Sequence, residues 1–349
     1  MDLKEQATVE AASAPVIETT SELLTVSPSP HAHRRMSTTS LMKDVLVALA
    51  PATVWGIYAF GVRAALIVLI SVASCVLFEM LTQLVLRRTV TIADCSAAVT
   101  GLLLALNLPA GAPLYVPVVG AAFAIIVVKQ LFGGLGKNIM NPALAARVFL
   151  MLAWSNDMAN SYPQAFDRSF DAVASATPLA SIKGGAIPEG MDLLDLFLGN
   201  HGGCIGEVSS LMLLIGGIYL IARGVIRWHI PVAMLGTVAL LTFALPMPVG
   251  MDASVMERLT FMGASVFSGG LMIGAIFMAT DYVTSPVTSW GRIIYGAGAG
   301  LLTVFIRYFG GLPEGVSFSI LIMNCLVWYL DMATKPRVYG KPRRQKKGA

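Results

Sequence analysis

Paired cysteines are missing from this sequence. Cys75, Cys95, Cys204 and Cys325 stand singly with no C-x-x-C spacing, which excludes the clustered thiolates that hold iron–sulfur or zinc sites. Histidine is as sparse. Of four in the chain only His31 and His33 are close together, in a polar tail that reads as solvated, so the sequence offers no metal site. No residue set resembles a catalytic triad, and no catalytic residue is assigned. Charge is scarce too: 13% of residues are Asp, Glu, Lys or Arg, against about 25% in soluble domains, and the mean hydropathy is +0.74. That balance excludes a soluble fold. Barrel-strand alternation is also absent, because "AALIVLISVASCVLF" and "FSILIMNCLVWYL" are continuous apolar runs. The first 30 residues lack the basic start and apolar stretch of a cleaved signal peptide.

What is there is apolar helix. With 349 residues, 56% of them hydrophobic, the chain has room for roughly ten spans of about 20 residues each. Apolar runs lie at 43–60, 62–86, 96–109, 114–132, 142–155, 208–225, 228–246, 258–279, 292–309 and 315–331. The third and fifth, "SAAVTGLLLALNLP" and "NPALAARVFLMLAW", are too short to cross and read as interrupted helices, which survive in lipid only where protein covers their ends. "VKQLFGGLGKNIMNPALAARVFLML" at 128–152 is echoed by "FIRYFGGLPEGVSFSILIMNCLVWYL" at 305–330. Two halves of five spans each would be inverted relative to one another. The fold expected is therefore all-α integral membrane: about ten transmembrane helices in two inverted five-helix repeats with interrupted helices. Residues 1–40 read as a disordered cytoplasmic tail, 41–155 as the first repeat, 156–207 as an extracytoplasmic loop, 208–332 as the second repeat and 333–349 as a basic cytoplasmic tail.

Orientation follows from basic residues at span ends. Of 24 lysines and arginines, 18 fall on the side of the termini; Arg63, Arg168, Lys183, Arg258 and Arg307 fall on the other, and Arg147 lies inside the fifth run. Both termini are thus expected in the cytoplasm, with the acidic segment 156–207 outside. The tail "KPRVYGKPRRQKKGA", directly after a last span, suits anionic membrane lipid rather than nucleic acid.

Three stretches carry candidate chemistry. "GGLGKNIMNP" is a glycine-rich break before a helix start, with Asn141 as N-cap and Pro142 in the first turn. Lys137, Asn138 and the bare amides there suit an anion or the polar edge of a cofactor, or simply a capped turn; Walker A spacing is absent. "ATDYVTSPVTSWGR" places Thr280 and Asp281 at the end of an apolar helix containing Gly269, Gly270 and Gly274, either an ionisable site in the membrane or an interfacial turn. Glu79 is an intramembrane acid in need of a partner. The third stretch is "DAVASATPLA" at 171–180, where small neighbours and Pro178 leave the Thr177 hydroxyl extended and accessible. Taken alone, it suits either modification, such as transfer of a phosphoester, or plain loop composition.

In order along the chain, "SPSPHAHRRMST" at 27–38, "TGLLLALNLP" at 100–109, "FGGLGKNIMNPA" at 132–143, D-x-x-x-S-A-T-P-L at 171–179 and "TKPRVYG" at 334–340 resemble RnfD, the D-type membrane subunit of the Rnf electron transport complex. That family is shared with the B-type membrane subunit of the sodium-pumping NADH:quinone reductase. The resemblance implies FMN joined covalently through its phosphate to Thr177, making the chain a phosphoprotein. The attachment motif would comprise Asp171, Ser175, Ala176 and Pro178, with Ala174 and Ser175 departing from the usual Ser and Gly. It further implies a noncovalent riboflavin among the helices, for which Lys137, Asn138, Asn141, Thr280 and Asp281 are the candidates. The partners implied are a flavin transferase, an extracytoplasmic flavoprotein, membrane iron–sulfur subunits and the other Rnf-type subunits, in a bacterial inner membrane. The function expected is electron transfer across the membrane within an ion-translocating ferredoxin:NAD oxidoreductase. The rival readings are the corresponding B-type component of the quinone reductase, a cofactor-free inverted-repeat permease and a structural anchor.

Overall fold

The computed structural model describes residues 37–159, 162–166, 178–183, 193–248, 250, 254–311 and 314–336, all within the compact unit Ser37–Ala349. Among them the regular elements are helical and include α1 (Thr38–Phe60), α2 (Val62–Val85), α3 (Ser96–Leu106), α4 (Tyr115–Gln130), α5 (Pro142–Ala153), α6 (Pro178–Lys183), α7 (Leu193–Leu198), α8 (Ser210–Ala222), α9 (His229–Ala244), α10 (Val255–Phe267), α11 (Leu271–Met278), α12 (Ser289–Phe309) and α13 (Val316–Ala333). Local chemistry sets several starts. Ser37, Asn141, Ser209, Ser254 and Thr288 each accept a backbone N–H of the first turn, and Ser254 with Glu257 forms a reciprocal capping box.

Four helices, α1, α2, α12 and α13, are long and apolar enough to cross a membrane, and the bent pair α10 and α11 makes a fifth if counted as one span. Helices α3, α4, α5, α8 and α9 are apolar but shorter. The third and fifth apolar runs contain helices of 11 and 12 residues. The eighth run, read as continuous, is instead broken: α10 and α11 meet at 61°, and Gly269 takes a left-handed φ of +70° that glycine alone adopts readily. Of the glycines in that run, Gly269 and Gly270 sit at the break.

The short helices α3 and α11 occupy the interior and long ones sheathe it. Nearly every residue of α3, and every residue of α11, is buried, which is the pattern of a helix surrounded by protein on all sides. Asparagines tie α11 to its neighbours: Asn107 at the end of α3 places Nδ2 3.6 Å from Met278 Sδ, and Asn141 at the start of α5 donates from Nδ2 to Met278 O at 3.3 Å. The outer helices turn apolar surface outward, with Val62, Val85, Trp290 and Trp328 all exposed, as lipid contact requires. In the second half, α9 and α12 pack at a small-xxx-small crossing: a Cβ on Gly296 or Gly300 would lie 2.8 Å from the carbonyl of Ile230 or Met234.

The segment His201–Ser210 is buried along its whole length. Ile205 N donates to Leu108 O at 3.1 Å and Gly206 N to Leu106 O at 2.8 Å, so this stretch pairs with the end of α3 and satisfies backbone groups that the short helix leaves open. The polar segment 156–207 thus ends in a plug inserted between the helices.

Candidate cofactor sites

One candidate site is a cavity of about 210 Å³ bordered by α3, the turn before α5 and the end of α11, with Ser96, Lys129, Asn138, Asn141, Thr280 and Asp281 among its polar lining. The rest of its wall is largely apolar, from α1, α3 and Phe277. Four of the five residues singled out for a noncovalent flavin therefore share one cavity. Lys137 does not: it is exposed, and Lys129 lines the wall instead. Asn141 is engaged at both ends of its amide, since Oδ1 accepts Ala143 N–H and Leu144 N–H to cap α5 while Nδ2 donates to Met278 O. Thr280 bonds back to Ile276 O at 2.6 Å. Burial raises the Asp281 carboxyl above the usual carboxylate range, opposed by the Val283 amide and the Thr284 hydroxyl. Asn138 differs from them. Its Oδ1 is buried without a partner, an omission that costs about 1–3 kcal/mol unless a ligand donor fills it.

Lys129 comes from a stretch of α4 wound as a π-helix from Phe123 to Gln130. Its buried positions, Ala124, Ile125, Val128, Lys129 and Gln130, are spaced by four and five, so the wider turn carries two polar residues onto the inward face. There Lys129 Nζ lies 2.8 Å from Glu79 and donates to Ser96 Oγ at 2.6 Å, while Gln130 Nε2 donates to Glu79 Oε1 at 2.9 Å. The partner Glu79 needs is thus Lys129, a residue that charge counting treats as an interfacial topology signal. Its burial is visible only in the π register.

The second candidate site lies around the helix that follows the expected attachment motif. Asp171, Ser175, Ala176 and Thr177 lie outside the described residues; Pro178 opens α6, in the first-turn position proline favours. Leu179 is buried over Gly269, where an added Cβ would meet Leu179 Cδ2 at 2.9 Å, Arg307 Nη2 at 3.5 Å and Glu314 Cγ at 4.0 Å. Lys183 donates to Gly310 O. The helix is therefore fastened to the α10–α11 break at one end and to the end of α12 at the other.

Beneath it is a buried charge cluster. Arg147 of α5 donates to Asn107 Oδ1 at 2.6 Å, pairs with Glu207 at 3.1 Å and with Glu314, and touches Cys204 Sγ at 3.5 Å. Glu314 also accepts Gly270 N–H at 2.8 Å. Burial, reinforced by Glu314 and opposed by Arg147, pushes the Glu207 carboxyl up to about 7. Burial likewise holds His201 below the usual imidazole range, partly offset by backbone hydrogen bonds; its Nδ1 lies 3.1 Å from Gly202 O. Sequence reasoning placed Arg147 inside a span but assigned it no partner, because its two acids lie 60 and 167 residues further along the chain.

Known proteins resemble this chain over nearly its whole length. Residues 25–340 match the NQR2, RnfD, RnfE family. The chain is 49% identical over 325 residues to the D-type subunit of the Na(+)-translocating ferredoxin:NAD(+) oxidoreductase complex of Acetobacterium woodii, covering 93% of this chain and 97% of that one. It is 40% identical over 335 residues to the D-type subunit of the proton-translocating ferredoxin:NAD(+) oxidoreductase complex of Clostridium ljungdahlii, covering 92% and 97%. Against the D-type subunit of the ion-translocating oxidoreductase complex of Escherichia coli K12 it is 34% identical over 350 residues, covering 90% and 98%. These names agree with the resemblance read from the motifs, and two of them specify different ions. The chain belongs to the NQR2, RnfD, RnfE family.

Proposed function

We propose that this chain is the flavin-bearing membrane subunit of an ion-translocating ferredoxin:NAD oxidoreductase complex, passing electrons across a bacterial inner membrane between an extracytoplasmic flavoprotein and cytoplasmic redox subunits. In this reading ten spans form two inverted repeats, both termini are cytoplasmic, and the attachment segment faces outward, where a flavin transferase esterifies Thr177 with FMN. Membrane iron–sulfur subunits and the other Rnf-type subunits are its neighbours in the complex. The observation that carries the reading is the docked helix Pro178–Lys183 directly after the threonine of the motif, in a chain aligned with RnfD-type relatives over nearly its whole length.

The lining of the cavity at Asn138 supports a riboflavin there. Its wall is largely apolar, as a flat ring system requires, and Asn138 and Asp281 are among the polar groups that could orient one. Asn138 Oδ1 would accept an N–H from the ring edge or a ribityl hydroxyl, and Asp281 and Lys129 would bound the polar rim. Flavin supplies the electron-carrying chemistry when bound, and the protein positions it and keeps water away. The test is flavin fluorescence of the denatured chain on a gel, from cells containing the transferase. A bright wild-type band and a dark Thr177→Ala band are expected; a dark wild-type band overturns the reading.

A further inference from the structure

We propose that the turn between α8 and α9, together with the start of α12, binds the head group of an anionic phospholipid, with Arg227 and Arg292 holding its phosphate. The inference needs only that the chain spans a membrane, and it stands apart from the flavin reading.

Two arginines meet at one end of the α9–α12 crossing. Ile230 O is the group that a Cβ on Gly296 would meet at 2.8 Å; Arg292 lies one turn before Gly296 and Arg227 just before Ile230, and the two cations are close enough to repel one another. Among the described residues neither forms an ion pair with a carboxylate. Asp331, whose charge also reaches Arg292, accepts Val287 N–H at 3.0 Å. Arg292 Nε donates to Pro286 O at 2.9 Å, which fixes the guanidinium, yet its Nη1 has no partner. Beside it His229 Nδ1 is likewise without one. Like charges held together with idle donors are costly to maintain. An anion lying between them removes both costs.

Position indicates which anion. Trp290 is the second residue of a membrane-length helix and Trp228, stacked on His229 with centroids 4.3 Å apart, immediately precedes α9. Both rings are exposed, and tryptophans at span ends sit at the level of the lipid head groups. One turn deeper on the same helix faces, Val232 and Ile294 are exposed as well. From the membrane interior outward the surface is therefore aliphatic, then aromatic, then cationic, which matches a phospholipid read from acyl chain to phosphate. The planar fork of arginine suits that phosphate better than the point charge of lysine would. A free anion would engage the cations and leave the apolar surface unused.

The experiment titrates the full chain, in micelles of an uncharged detergent, with phosphatidylglycerol whose brominated acyl chains quench nearby tryptophan. Brominated phosphatidylcholine is the control. Wild type is expected to reach half-maximal quenching at roughly tenfold less phosphatidylglycerol than phosphatidylcholine. Arg227→Gln combined with Arg292→Gln removes that preference. Arg227→Gln alone, at an exposed position whose loss leaves the fold intact, reduces it roughly threefold. Arg223→Gln, at a cation already paired with Asp44, leaves it unchanged. The proposal is overturned if wild type does not distinguish the two lipids, if either folded Arg227 variant keeps the full preference, or if Arg223→Gln loses as much. It is also overturned if inorganic phosphate at the same concentration as the lipid abolishes the preference, since the cations would then serve a free anion.

Discussion

Arg147→Gln strands two acids at once. In the native fold the guanidinium is the shared partner of Glu207 and Glu314 and donates to Asn107, and Arg147 is 1% exposed, so water cannot substitute for it. Removing one partner from a buried ion pair costs about 3–5 kcal/mol. Glutamine restores part of the contact with Asn107, so the hydrogen-bond loss of about 1–3 kcal/mol per stranded group is not added in full. A net loss of about 3–5 kcal/mol is expected, a large share of the roughly 5–15 kcal/mol that holds a typical domain together. Equilibrium unfolding in mixed micelles, followed by the fluorescence of the five tryptophans, measures it. Arg147→Gln combined with Glu207→Gln and Glu314→Gln removes every charge from the cluster and should recover most of the loss, since neutral replacements of a whole buried network are often nearly neutral in energy. The reasoning is refuted if Arg147→Gln alone unfolds within about 1 kcal/mol of wild type, or if the triple variant is less stable than the single.

Asn141→Ala removes the cap of α5 and the bond to Met278 O, and should lower stability by about 1–2 kcal/mol in the same assay; no change would show that the cap carries nothing. Gly300→Val drives a side chain against Met234 O at the α9–α12 crossing and should cost about 1–3 kcal/mol, whereas a substitution at Gly236, where an added Cβ meets nothing within 4 Å, should not. Glu207 binds its proton more tightly folded than unfolded, with a value of about 7 against an ordinary 4.5. Its contribution is therefore full below pH 4.5 and falls as pH rises to 7, by about 3 kcal/mol; Glu207→Gln should flatten the stability profile across that window, and an unaltered slope would count against the assignment. Asn138→Ala deletes a buried acceptor without a partner, so stability should hold or rise by up to about 1 kcal/mol while noncovalent flavin content, measured after acid extraction, falls. Unchanged content would remove Asn138 from the site.

Much of this was legible in the sequence because lipid leaves few choices. Continuous apolar runs had to be helices, and the two shortest had to be interior. Asn141 before Pro142 announced a helix start, whereas Pro178 announced only an extended Thr177 and not the helix that it opens. Unreadable were the features set by long-range contact. Nothing local separates Lys129 or Arg307 from ordinary span-end charges; their burial follows from a π register and from a broken neighbour. "HGGCIGEVSS" looks like loop by composition, and its burial depends on α3 being too short to satisfy its own end. Gly269 and Gly270 could equally have been crossing points, and only the left-handed φ of Gly269 makes the pair a hinge.

The pairing of Ile205 and Gly206 with the end of α3 sets a timetable for synthesis. Eleven residues of helix span about 16 Å, barely half the roughly 30 Å of hydrocarbon, so α3 cannot rest stably in lipid by itself. The stretch of chain that closes its end is translated roughly 100 residues later, which at about 5–20 residues per second is a delay of about 5–20 s. For that interval the first half of the bundle sits in the bilayer with open backbone groups, dependent on the translocon or a chaperone for shelter. Assembly is complete only when the ribosome has passed Glu314 and Arg147 receives its second acid.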